Sequence, residues 1–255
     1  DAICFKSGKD EDGRRRGIPT ENVIVKNNIV YHGHGGFVVG SEMSGGVKNV
    51  HVSNCTFIGT DVGLRFKSTR GRGGVVEDIY ISNINMIGIP TEAINLFYGG
   101  KSPVPEEGEE TTEVNRELMP VTVETPSFRN ITIKNIVSTG GGAGAIFQGL
   151  PEMKVQNVRM ENMTLEAKKG ITLIDAEGIT LKDVKMLNET GAALTIYNSS
   201  EVDVNNFSFN EREDGPEVRV LGNSTTAISL DRNSVSASQL ETGKEVKKKA
   251  VKFKK

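Results

Sequence analysis

Asp1, His34, Arg65, Lys67 and Tyr98 could do chemistry as a group if the fold brought them together. His34 stands among glycines in Gly33-His34-Gly35-Gly36, and Arg65 and Lys67 flank Phe66. An imidazole beside a carboxylate can hold or move a proton near neutral pH. A guanidinium grips a carboxylate through its planar fork, and an ammonium adds a point charge. A phenol can pack on a sugar face while its hydroxyl hydrogen-bonds. An acid, an imidazole, two fixed cations and a phenol therefore suit an anionic chain substrate. Each residue alone is ordinary surface or turn chemistry, so only their juxtaposition gives the set meaning.

A repeat supplies the juxtaposition. One short phrase occurs seven times, as in Asn22-Val-Ile-Val-Lys-Asn27, Asn49-Val-His-Val-Ser-Asn54 and Asn130-Ile-Thr-Ile-Lys-Asn135. Its closing residues are Asn27, Asn54, Asn83, Asn135, Asn162, Asp183 and Asn206, separated by 27, 29, 52, 27, 21 and 23 residues. A strand-like phrase at that period predicts a solenoid of stacked coils. Alternating apolar residues such as Val23/Val25 and Ile131/Ile133 face a core. A second strand follows a turn, in copies such as Ala2–Phe5, Gly36–Val39, Gly63–Phe66, Ala93–Leu96 and Gly144–Phe147. Like strands stacked on like strands give parallel sheets. The expected fold is all-β, a right-handed single-stranded parallel β-helix of about seven to eight coils.

The repeated Asn suits the corners. It tolerates left-handed dihedrals, and in register its amide can bond the coil above and below. Several of these residues also read as glycosylation acceptors, at Asn54, Asn130, Asn162 and Asn206, but repeat register explains them without a sugar. With coils about 4.8 Å apart, Asp1, His34, Arg65/Lys67 and Tyr98 are expected along one outward strip roughly 10–15 Å long.

The bulk numbers agree with this outline. The chain has 255 residues, with 36% apolar content, 29 glycines and no Trp, which suits a β protein with many tight turns. Its 31 basic and 33 acidic residues nearly cancel, so no global field points to nucleic acid or membrane. The Arg14-Arg15-Arg16 run is short, lacks aromatics and adjoins Asp10, Glu11 and Asp12, which argues against a nucleic-acid patch. Its expected place is a loop lining the groove entrance. No apolar run reaches the ~18 residues that span a bilayer. Cys4 and Cys55 fall at different places in the repeat and are expected as free thiols. Residues 1–241 read as one β-helix domain, with the Lys-rich 242–255 as a last edge strand or tail. Asp1 leads straight into a strand with no cap, so the chain is expected to start partway through a longer solenoid. Lys101 to Pro126, with the acidic run Glu106, Glu107, Glu109 and Glu110, reads as a long loop beside the strip.

Three ordered segments resemble glycoside hydrolase family 28, the polygalacturonases: Asp1-Ala-Ile-Cys-Phe-Lys-Ser-Gly8, Gly33-His34-Gly35 and Arg65-Phe66-Lys67. Lys9 to Gly17 is similar to a longer loop of bacterial, often exo-acting members. The resemblance runs from Asp1 to about Leu230. It implies an inverting hydrolase of α-1,4-linked galacturonate in pectin that needs no metal or cofactor. Asp1 would take a water-activating role, and His34 would support the catalytic acid. Arg65 and Lys67 would hold the substrate carboxylate, and Tyr98 would contact the sugar. The family's general acid and its third aspartate would precede Asp1, so these 255 residues alone are expected not to hydrolyse pectin. Its polymeric substrate implies an extracellular or periplasmic enzyme. Two other readings of such a solenoid are a Ca²⁺-dependent pectate lyase and a non-catalytic carbohydrate-binding stalk. The strip shows no stacked Asp/Glu cluster for calcium, and a stalk needs no His/Arg/Lys strip.

Overall fold

The structure, a computed structural model, describes residues 1–104, 117–210 and 215–254. Among them are β1 (Ile3–Phe5), α1 (Asp10–Arg16), β2 (Thr20–Lys26), β3 (Ile29–Gly40), β4 (Val47–Lys67), β5 (Val75–Ile87), β6 (Glu92–Phe97) and β7 (Ser127–Gln148). There follow β8 (Val155–Ile174), β9 (Ala176–Asn188), β10 (Leu194–Tyr197), β11 (Ser200–Phe209), β12 (Val218–Leu221), β13 (Thr226–Asp231), β14 (Leu240–Thr242) and β15 (Val251–Lys254). The strand pairings are parallel, and each joins a segment to its equivalent on the next coil. The fold is a right-handed parallel β-helix.

Several strands are long because they turn corners without breaking. Within β4, single left-handed residues at Asn49 (φ 52°), Asn54 (φ 55°) and Gly59 (φ 65°) swing the chain from one wall to the next. Asn is the L-residue that adopts this conformation most cheaply. Its amide then bonds in register. Asn83 donates to Asn54 at 3.0 Å and accepts from Asn135 at 2.8 Å, and Asn162 donates to Asn135 at 2.8 Å. The opening residue of the phrase builds a second rail, Asn22–Asn49 at one end and Asp78–Asn130–Asn157 further along. The amide nitrogens of Asn54, Asn130, Asn162 and Asn206 donate along these rails. A glycan would occupy those nitrogens.

The rails carry part of the stability. Asn83→Ala removes two side-chain bonds and puts a Cβ-bearing residue without a compensating bond at φ 57°. The expected loss is about 2 kcal/mol. Asn83→Gly recovers the backbone part alone. Chemical denaturation of the two variants separates the contributions, and equal losses would contradict the split.

Inside the prism the alternating residues of each wall pack against one another. Phe5, Phe37, Phe66 and Phe128 form an edge-to-face stack along the axis, with centroids 5.3, 6.1 and 6.1 Å apart. Leu64, Phe66, Ile94, Leu96 and Phe147 are fully buried. Because Leu64 and Phe66 point in, Arg65 and Lys67 must point out. The wall that bears them carries two further copies beyond the seven legible in the string, β12 and β14. Residues 251–254, the strand β15, lie against β13.

Residues 9–17 are a short helix and not the expected loop. Asp10, Glu11 and Asp12 fill the first turn of α1, Arg14, Arg15 and Arg16 the last, and Gly17 closes it at φ 61°. That order complements the helix dipole. The helix is laced to the neighbouring turns: Arg72 pairs with Asp10, and Arg14 donates to the Gly71 carbonyl at 2.6 Å and to Glu124 at 3.1 Å.

Candidate functional site

Asp1, His34, Arg65 and Lys67 meet on one outward strip. β1 pairs with β3, placing Ile3 beside Phe37, and β3 pairs with β4, placing Val38 beside Arg65 and Gly40 beside Lys67. The Ala2 amide bonds the Gly35 carbonyl at 2.9 Å, which sets Asp1 at the edge of that ladder. The Asp1 carboxylate accepts from the Lys67 ammonium at 3.0 Å, with both side chains largely sheltered. Burial and, after it, the Arg65 guanidinium lower the Lys67 pKa below the usual lysine value. A cation so placed gains from a second carboxylate.

The glycines around His34 are sterically required. Gly33 adopts φ 123°, and a Cβ on Gly36 would lie 2.5 Å from the Phe57 ring. A Cβ on Gly35 would meet Val38 at 2.4 Å and lie 3.4 Å from the Asp1 carboxylate. The backbone therefore passes close to Asp1 and presents His34 outward. His34 Nδ1 lies 2.8 Å from Asp61 Oδ2, and Arg65 Nη1 lies 2.5 Å from His34 Nε2. A guanidinium can only donate, so Nε2 accepts. Nδ1 then carries the proton and donates it to Asp61. The network thus assigns a neutral imidazole with a fixed tautomer, held between a carboxylate and a guanidinium.

Asp61 belongs to the site although the motif reading passed over it. The signal was the repeat offset: β3 pairs with β4 with Gly33 beside Thr60 and Gly35 beside Val62, so Asp61, 27 residues after His34, stands next to it on the neighbouring coil. Tyr98 fails by strand alternation. It was expected on the strip, yet it is 1% exposed, stacks on Phe128 at 4.4 Å, and its hydroxyl accepts the Phe128 amide proton. Burial pushes its hydroxyl pKa upward. Ile94, Leu96 and Tyr98 alternate inward, so Phe97 is the aromatic residue that lines the groove. The arginine run is corrected as well. Arg14 is bound to Gly71, Arg72 and Glu124, while Arg15 and Arg16 pair with Asp12. None of the three lines the groove.

The groove has a volume of about 780 Å³ and runs from His34, Asp61 and Arg65 to Thr195 and Arg219. Ser102 and Val104, from the start of the long loop, form part of one side. The acidic run at Glu106, Glu107, Glu109 and Glu110 lies outside the described residues. Where the loop returns, Arg70 bonds the Glu117 carbonyl at 3.0 Å and both oxygens of Glu152, at 2.6 and 2.9 Å. The Glu152 side chain is 3% exposed. The fork geometry makes this a directional clamp. Among the described residues no helix is long and apolar enough to cross a membrane.

The chain is similar to known pectinases. A probable polygalacturonase of Vitis vinifera is 27% identical over 187 residues, covering 71% of this chain and 35% of that protein. An exo-poly-α-D-galacturonosidase of Dickeya chrysanthemi is 34% identical over 94 residues, 37% of this chain and 15% of that protein. The crystal structure of a hyperthermoactive exopolygalacturonase from Thermotoga maritima matches with a TM-score of 0.55 and 26% identity, over 80% of this chain and 39% of that one. The chain thus spans about two fifths or less of the length of these relatives. The family model for glycosyl hydrolases family 28 matches residues 1–174, the larger part of the sequence and all of the strip from Asp1 to Lys67. By that match the chain belongs to glycosyl hydrolases family 28.

Proposed function

We propose that the protein is part of an enzyme that hydrolyses α-1,4-galacturonide linkages of pectic polysaccharide with inversion. The observation that carries this reading is the strip itself. Asp1, His34, Arg65 and Lys67, separated by up to 66 residues in sequence, form two polar contacts on one outward strip, Lys67 with Asp1 and Arg65 with His34, and the second pair lines the groove. Arg65 and Lys67 bind the uronate carboxylate. Asp1 accepts a proton from the water that attacks the anomeric carbon. The general acid, which the family pattern puts directly before Asp1, protonates the departing oxygen. His34, neutral and held by Asp61, keeps Arg65 aimed into the groove. The step moves protons between water, carboxylates and the leaving oxygen, without a cofactor. A polymeric substrate places the work outside the cytoplasm, in an extracellular or periplasmic space. The proposed partner is the polysaccharide, with no role for nucleic acid or membrane.

A form with an aspartate directly before Asp1, and the family's third aspartate further upstream, is expected to produce new reducing ends of inverted configuration. An unsaturated, ultraviolet-absorbing product would mean β-elimination and would sink this proposal.

Asp61 gives a further check. Asp61→Ala leaves Nδ1 without its acceptor, so the imidazole can rotate or change tautomer and compete with Arg65. We expect kcat/KM to fall by about 10–100-fold, the usual scale for an orienting partner. Asp61→Asn keeps an acceptor oxygen and should recover most of that loss. Heteronuclear NMR of the His34 ring nitrogens should show the Nδ1–H form in the native protein and a mixture in Asp61→Ala. An unchanged tautomer with reduced activity would refute the positioning role.

A further inference from the structure

Beyond Arg65 the groove changes character. Rung by rung, the column that starts at Arg65 reads Asn95, Ile146, Thr172, Thr195 and Arg219. A second column, nearer the turn, reads Glu92, Ala143 and Lys169. A rung is about 4.8 Å, close to the length of one 1,4-linked pyranose unit. A sugar chain lying along the axis therefore meets about one rung per unit.

Cations line the groove at three places: at Arg65, on the third rung beyond it at Lys169, and on the fifth at Arg219. The two rungs directly after Arg65 have none among the lining residues. The first carries Thr91, Glu92, Asn95 and Phe97, and the second carries Ile146 and Gln148, whose amide nitrogen donates to the Gly99 and Gly100 carbonyls. On the third rung Thr172 stands opposite Ile146, and Ile174 opposite Gln148. A free uronate over this stretch would exchange part of its hydration for neutral groups, Asn95, Phe97 and Ile146, with no cation among them, while facing the carboxylates of Glu92 and Asp61. The methyl ester of the same sugar keeps the ring shape, removes the charge and offers a methyl group to Ile146.

We infer that the groove recognises partly methyl-esterified polyuronate, with a free carboxylate at Arg65 and an esterified unit on the first or second rung beyond it. This rests on the polyuronate reading above and goes further by assigning a pattern of charge along the chain. Glu92 and Ile146 are then specificity-determining residues.

The test is calorimetric titration of the protein with hexagalacturonate in its free form and as a set of isomers, each with one methyl ester at a different internal unit. At least one isomer is expected to bind about three- to fivefold more tightly than the free hexamer. Glu92→Gln should shrink that ratio, and Ile146→Lys should invert it in favour of the free hexamer. If Ile146→Lys does not fold, the Glu92→Gln change carries the comparison. Should the free hexamer bind, lose affinity in Arg65→Ala, and outbind every ester, the charge pattern is wrong and the polyuronate reading survives. Should no hexamer bind at all, both fall together.

Discussion

Arg65→Ala is expected to weaken binding of oligogalacturonate by about 100-fold, the scale of a well-placed charged anchor. The guanidinium lines the groove and holds His34 at 2.5 Å. Removing it deletes the planar fork for the carboxylate and also frees the imidazole. Arg65→Lys should recover little. A lysine keeps the charge but cannot span a carboxylate and His34 together. Titration with trigalacturonate at fixed ionic strength measures the effect. A loss below about threefold would place Arg65 among ordinary surface charges.

Phe66→Ala is expected to be the most destabilising single change near the site, at about 3–5 kcal/mol. Phe66 is fully buried, and its ring packs edge-on against Phe37 and Phe128, each 6.1 Å away. Truncation opens a cavity between coils that are tied to one another and cannot collapse freely. In a chain of this size a loss of that order lowers the melting temperature by roughly 10 °C. Arg65 and Lys67 flank Phe66, so binding should weaken as well. Phe66→Leu keeps most of the volume and should cost less than half as much. An exposed apolar residue such as Ile24, 69% accessible, gives the control, with little change expected on Ile24→Ala. Thermal and denaturant unfolding measure all three. A Phe66→Ala protein as stable as the Ile24→Ala control would contradict the packing described here.

The solenoid was legible because its demands repeat. Every coil needs two alternating strands and a residue that tolerates a left-handed corner, so Asn recurs where the backbone needs it. The second rail, Asn22–Asn49 and Asp78–Asn130–Asn157, was in the same phrases. Its purpose shows only once the opening residues are also seen to be left-handed. The strip was legible for a different reason. Arg65 and Lys67 are outward by parity with buried Phe66, and His34 is flanked by glycines that leave it no other face. Tyr98 and Asp61 mark the limit of motif reading. A motif names residue types, whereas alternation and register decide where each one stands: alternation sends Tyr98 inward, and the 27-residue register sets Asp61 beside His34. The strands β12 and β14, at four and three residues, are too short to show a period. The helix α1 is charged on all sides except at buried Gly13, so no apolar stripe betrays it.

The central claim is that one strip of this solenoid holds a uronate through Arg65 and Lys67, beside the Asp1 carboxylate. A crystal structure of the protein with trigalacturonate tests it most directly. The account predicts a sugar carboxylate within hydrogen-bond reach of both Arg65 and Lys67, with the anomeric carbon facing Asp1 across one water. A trisaccharide bound on another wall, or one in the groove with its carboxylates in solvent and away from both cations, would contradict it.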